Sequence, residues 1–161
     1  MGLKLVERKI YPYVLAVSCS AVVVLWLKVA PHPVPGGLPS AVGVVAAFVY
    51  FLYKQNLDEA KFFKQLFTEF NARYSDLDAA LYRIIESSAD APLSPDEKMS
   101  LYKYFNLCAE ERFFYGAGFV DEKVWQSWSH GMKIFFKNPR IKDLWEHESK
   151  TDSYYGFRPP L

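Results

Sequence analysis

Charge is spread so unevenly along this chain that its first third and its remainder cannot share one kind of fold. No Asp, Glu, Lys or Arg stands between Lys9 and Lys28, and none between Lys28 and Lys54, leaving gaps of 18 and 25 residues. As a helix, the first gap, residues 10–27, would reach roughly 27 Å, close to a hydrocarbon thickness of about 30 Å. The second opens with Pro31, Pro33, Pro35, Gly36, Gly37 and Pro39. These residues deny helix hydrogen bonds or favour turns, so the gap divides into a loop and a helix over about 38–54. That helix is short for a span, at roughly 24 Å, unless Lys54 and Gln55 reach to the headgroups or the bilayer thins locally. The pattern predicts a two-helix transmembrane hairpin, 10–29 and 38–54, with the lipid bilayer as a partner.

Lys4, Arg8 and Lys9 precede the first segment and Lys54, Lys61 and Lys64 follow the second, while the loop after Lys28 carries no Lys or Arg. By the excess of basic residues on the cytoplasmic side, both termini are expected in the cytoplasm, in a multi-pass arrangement. Tyr11 and Tyr13 would sit level with Tyr50 and Tyr53, and Trp26 would mark the opposite face. Ala16 and Ser20 on one helix, and Gly43 and Ala47 on the other, have the four-residue spacing that lets helices approach closely in lipid. Two rival readings of the same stretch are a secretory signal peptide and a single span followed by a re-entrant segment.

Residues 54–161 carry 15 basic and 17 acidic side chains, against four and one in residues 1–53. Neither the total, 19 Lys and Arg to 18 Asp and Glu, nor its distribution makes a nucleic-acid surface. The second part holds 21 of the 28 aromatic residues, more than a tether needs, and predicts a buried core. Phe63, Phe67, Phe70, Tyr74, Leu77, Leu81 and Ile84 recur at spacings of 4, 3, 4, 3, 4 and 3, a seam of period 3.5. It serves either as an intramolecular face, the favoured use because aromatics make poor coiled-coil cores, or as an oligomer seam.

No proline interrupts residues 40–91, so the second helix can run on past Lys54, with a bend near 56–58, until 87–92 ends it. Ser94-Pro95-Asp96-Glu97 has the elements of a capping box and starts a helix that Gly116 and Gly118 stop. Asp121 caps a third cytoplasmic helix, and Asn138-Pro139 ends that one and starts a fourth. The expected fold is all-α: a cytoplasmic segment 1–9, the hairpin 10–54, a cytoplasmic helical domain of about four helices over 55–150, and a turn-like tail 151–161.

Little of the polar inventory suggests chemistry. Gly116-Ala117-Gly118 lacks the third glycine, the lysine-serine pair and the preceding strand of a phosphate loop. His32, His130 and His147 form no short-spaced pair, and two cysteines, Cys19 and Cys108, make neither a disulfide scaffold nor a four-cysteine zinc site. No cofactor or metal is expected. Residues 106–112, Asn-Leu-Cys-Ala-Glu-Glu-Arg, form the best polar cluster, but Glu110 and Glu111 are adjacent and do not share a helix face. One of them pairing with a nearby Lys or Arg, and Cys108 filling a small core site, is the simpler use.

Adjacent pairs such as Phe113-Phe114 and Phe135-Phe136 cannot both point inward from one helix, which leaves aromatics for another surface. Candidate partner contacts are Phe63, Phe67, Phe70, Tyr74, Leu77, Phe114 and Phe136, with Tyr154, Tyr155 and Phe157 of the tail.

The second part carries the strings Phe67-Thr68-Glu69-Phe70-Asn71-x-Arg73-Tyr74, Tyr104-Phe105-Asn106-Leu107-Cys108-Ala109-Glu110-Glu111, Trp125-x-x-Trp128-x-x-Gly131-Met132, Phe136-Lys137-Asn138-Pro139 and Tyr154-Tyr155-Gly156-Phe157. Around these strings, about 95 residues of the second part resemble small uncharacterised bacterial inner (cytoplasmic) membrane proteins. That resemblance implies a short membrane anchor followed by a cytoplasmic helical domain, and no catalytic residues. The expected function is a membrane-anchored protein-interaction module, an accessory subunit acting on other membrane-protein subunits or on itself. Behind it stand a tethered sensor or effector, in stress or phage response, that binds a ligand or self-associates, and an enzyme using Glu110, Glu111 and His130.

Overall fold

The computed structural model describes residues 11–29 and 37–160. Among the described residues, five α-helices follow one another: α1 (Tyr11–Val29), α2 (Gly37–Glu86), α3 (Pro95–Gly116), α4 (Glu122–Phe136) and α5 (Pro139–Glu148), with a 3-10 turn at Ser149–Thr151. Among the described residues there is no strand, and the all-α expectation holds. Residues 1–62 and 63–161 form two compact units, so that α2 contributes to both. The basic residues of segment 1–9, the proline-rich loop at 30–36 and His32 lie outside the described residues.

The transmembrane hairpin does not survive. Among the described residues, no helix is long and apolar enough to cross a membrane. α1 has 19 residues but opens on Tyr11-Pro12-Tyr13 and closes on Lys28-Val29. Its apolar run, residues 14–27, reaches roughly 21 Å, and Ser18 and Ser20 fall within it. α2 is 50 residues long, but its apolar part ends where Lys54, Gln55, Asn56, Asp58 and Glu59 begin. A span needs about 20 consecutive apolar residues, and absence of charge in the sequence overstated how much of each segment is apolar. The expected inner-membrane location, the multi-pass topology and the lipid packing of Ala16 and Ser20 on Gly43 and Ala47 fall with it. All four of those residues are exposed, and a Cβ added at Gly43 would meet nothing within 4 Å.

In the 63–161 unit, helix starts are set by local chemistry. Ser94 has extended backbone at φ −68° and ψ 162°, its hydroxyl accepts from the Glu97 amide at 3.2 Å, and the Glu97 carboxylate accepts from the Ser94 amide at 2.7 Å. This reciprocal pair satisfies two otherwise orphaned amides, and Pro95 fills the position that needs no donor. Asp121 caps α4 through the Lys123 amide at 2.9 Å, and Asn138 caps α5 through the Arg140 amide at 3.0 Å.

The core is aromatic. From α2 it takes Leu66, Phe70, Leu77, Leu81 and Ile84, from α3 Leu101, Tyr104, Phe105, Leu107 and Cys108, and from α4 and α5 Met132, Phe135, Phe136, Ile141 and Trp145. Phe135 and Phe136 are both buried, against the expectation for adjacent residues. α4 has neighbours on two sides: Phe135 meets Tyr82 at 5.5 Å and Tyr104 at 5.6 Å, while Phe136 meets Phe105 at 5.7 Å and Trp145 at 5.8 Å.

The tail is part of this core. Asp152, Tyr155 and Gly156 have φ of 55°, 51° and 68°, and the Phe157 amide donates to the Tyr154 carbonyl at 2.8 Å. These left-handed residues turn the chain back, placing Tyr154 and Phe157 on Trp145 at 5.0 and 5.4 Å.

Candidate functional site

A pocket of about 200 Å³ opens between α2, α3 and α4 of the 63–161 unit. Tyr104, Leu107, Glu111 and Met132 make its buried floor, and Asn71, Tyr74, Ser127 and Trp128 its more exposed rim. Its one carboxylate reaches it through helix phase. Leu101, Tyr104, Cys108 and Glu111 follow one another at 3, 4 and 3 residues along α3, so Glu111 continues an apolar stripe and is only 6% exposed.

Its neighbour turns away. Glu110 forms a two-point pair with Arg73 of α2, Nη1 to Oε2 at 2.5 Å and Nη2 to Oε1 at 3.2 Å, and Glu69 lies 3.8 Å from the same guanidinium. Arg73, whose charge is felt at Glu111, is therefore already met by two carboxylates. Tyr74 lies against Asp78 and Tyr104 against Cys108, and neither phenol donates to Glu111. Among the described residues, no side chain or amide donates a hydrogen bond to the Glu111 carboxylate.

Burial without a donor disfavours its charged form. It pushes the Glu111 carboxyl up to about 8, with Arg73 opposing the shift and Glu110 adding to it. Burial also raises Tyr104 and Cys108 well above their ordinary values, which keeps the Cys108 thiol protonated and inert.

Gly131 lines the same pocket from the middle of α4, and a Cβ there would meet nothing within 4 Å. A glycine inside a helix costs about 1 kcal/mol relative to alanine. Here no close approach of backbone requires it, and the space beside it is open.

The residues expected to meet a partner divide sharply. Phe70, Leu77, Phe136, Tyr154 and Phe157 are buried in the core and present no surface, whereas Phe67 and Tyr155 are exposed and Phe63, Tyr74 and Phe114 half-buried. Of the proposed catalytic set, Glu111 lines the pocket, Glu110 is held by Arg73, and His130 is exposed on α4 and does not line it. His147 is also exposed, and among the described residues no group of three His, Cys, Asp or Glu side chains is placed to hold a metal ion. The pocket itself was not foreseen, although a glutamate in phase with Leu101, Tyr104 and Cys108 was a readable sign of it.

No family model, no curated protein and no solved structure matches this chain.

Proposed function

We propose that the protein is an interaction module, an accessory subunit whose α1 and first part of α2 are covered by another protein in its working state. The observation that carries this reading is the apolar surface these helices present in the 1–62 unit. Val17, Val24 and Leu27 of α1, and Val44, Phe48 and Phe51 of α2, are each more than half exposed. Burying one such side chain is worth about 1.5 to 3 kcal/mol, and large exposed apolar surface marks interaction sites. The folded 63–161 unit would then be the part held in place by that contact.

The test is the mass and composition of the full-length protein purified from its native source, measured by light scattering. A complex of fixed stoichiometry with a second protein, dispersed by Val17→Lys with Phe48→Lys, is the expected result. A particle containing this chain alone would remove the accessory-subunit role.

A second reading, a sensor or effector that responds to a ligand, draws on the pocket around Glu111. The catalytic reading has the least support, because Glu110 is occupied by Arg73 and His130 stands outside the pocket. That leaves one carboxylate where acid–base work requires converging groups.

A further inference from the structure

We propose that the pocket between α2, α3 and α4 binds a small organic ammonium cation, with Glu111 as its counter-ion and the rings of Tyr74, Tyr104 and Trp128 as its walls. This names a ligand class for the sensor reading and rests on the pocket alone. It lies wholly within residues 63–161, so the loss of the accessory-subunit reading would leave it standing.

Four observations converge on that chemistry. Glu111 is more than nine-tenths buried, lines the cavity and accepts no hydrogen bond among the described residues, so its oxygens are available to an incoming donor. The charges around it favour a cation: Arg73 is met by Glu69 and Glu110, and Asp78 lies against Tyr74, so the carboxylates outnumber the guanidinium. An anion would meet this excess of negative charge. Three aromatic side chains line the space, and aromatic rings around a carboxylate are how proteins hold alkylated ammonium groups. Finally, Gly131 withholds a side chain where one would fit, and the resulting space of about 200 Å³ suits a molecule of roughly six to nine heavy atoms.

A metal ion fits poorly, with one carboxylate and no imidazole in the lining. A neutral ligand would leave the carboxylate to be compensated by a proton alone.

Binding a cation is coupled to loss of the Glu111 proton. The groups that face this carboxyl are Arg73 and Tyr74 from α2 and Tyr104, Cys108 and Glu110 from its own α3, while α4 brings only Ser127, Trp128, Gly131 and Met132 to the lining. With Glu111 titrating at about 8, the affinity for a permanently charged cation should rise about tenfold per pH unit up to that value and level off above it.

The probes are choline, n-pentylammonium and 3,3-dimethyl-1-butanol, the uncharged isostere of choline, titrated into the full-length protein from pH 6 to 9. Calorimetry reads the affinity, and the carboxyl ¹³C signal of Glu111 reads its protonation. At least one of the two cations should bind with that pH slope, at least tenfold more tightly than the isostere, and should lower the Glu111 midpoint. Glu111→Gln should weaken binding tenfold or more, and Gly131→Leu should fill the space and abolish it. Failure of both cations to bind, equal binding of the isostere, or wild-type affinity in Glu111→Gln would overturn the proposal. Should Glu111→Gln not fold, an unmoved carboxyl midpoint on adding the cation to the wild-type protein overturns it equally.

Discussion

Arg73 and Glu110 close a two-point ion pair between α2 and α3, at 2.5 and 3.2 Å, and in doing so they leave Glu111, the next residue, without a cation of its own. Side by side on one helix, the two glutamates face different surroundings: Glu110 is half-buried against a guanidinium, while Glu111 is buried among Tyr104, Leu107 and Met132. The environment, more than the residue type, separates their chemistry.

Removing that cation should be felt mainly next door. Arg73 favours the ionised form of Glu111, so Arg73→Met should move the Glu111 carboxyl midpoint further up from about 8. Because both members of the Arg73–Glu110 pair keep about a third of their side-chain exposure, the stability cost should be about 1 kcal/mol or less. Carboxyl ¹³C titration and urea unfolding of the variant measure the two effects separately.

Glu111 should also give the protein an alkaline weakness. Its carboxyl rises from an ordinary 4.5 to about 8 on folding, so between those values the folded chain holds a proton that the unfolded chain has released. Stability from this group is complete below about pH 4.5 and is lost as pH rises through about 8, with a total of a few kcal/mol. Glu97 acts in the opposite sense: its carboxyl is held below the ordinary range by the Ser94 amide and by Arg140, so its contribution fades only on acidification. Glu111→Gln should flatten the loss between pH 6 and 9 and be more stable than wild type at pH 9 by roughly 2 kcal/mol. Urea midpoints against pH for both proteins decide it; a wild-type slope retained in the variant would rule Glu111 out as the source.

Gly131 makes a separate prediction. Its added Cβ meets nothing within 4 Å, so Gly131→Ala should gain most of the helix-propensity difference, about 0.5 to 1 kcal/mol, without a clash. A thermal midpoint that falls would mean that the position tolerates no side chain despite the space.

How much of this was legible depended on how local each feature is. The capping box at Ser94 and Glu97, the Asp121 cap and the Asn138-Pro139 start are written within three residues each, and all three helices begin where those residues stand. The period-3.5 seam likewise shows in the sequence and is buried at Phe70, Leu77, Leu81 and Ile84. The hairpin misled because absence of charge was weighed more heavily than length: once Tyr11-Pro12-Tyr13 and Lys28 are set aside, α1 keeps an apolar run of 14 residues that Ser18 and Ser20 interrupt. The tail misled because the left-handed turn that folds Tyr154 and Phe157 inward includes Tyr155, a residue type that does not announce it, beside Asp152 and Gly156, which suit it but do not fix its direction. The pocket depends on three helices meeting, and only the phase of Glu111 along α3 hinted at it.

Arg140 offers the sharpest test of how the 63–161 unit is held together. Its side chain is almost wholly buried, and it donates to the Ile84 carbonyl at 3.0 Å, to the Pro92 carbonyl at 3.4 Å and to the Glu97 carboxylate at 3.2 and 3.3 Å. Ile84 lies in the last turn of α2, where carbonyls have no partner within the helix, and Glu97 lies in the first turn of α3. One guanidinium from α5 thus ties the end of α2, the connecting loop and the start of α3. Arg140→Ala should strand those acceptors and cost about 2 to 4 kcal/mol. Arg140→Lys should recover only part of that, since a single ammonium cannot present a planar fork to three acceptors. Lys142→Ala, two residues on, removes only an exposed pair with Glu146 at 3.8 Å and should change stability by less than about 0.5 kcal/mol. Urea unfolding of the three variants ranks them, and a loss at Arg140 no larger than the loss at Lys142 would mean that α5 is anchored by its aromatic contacts alone.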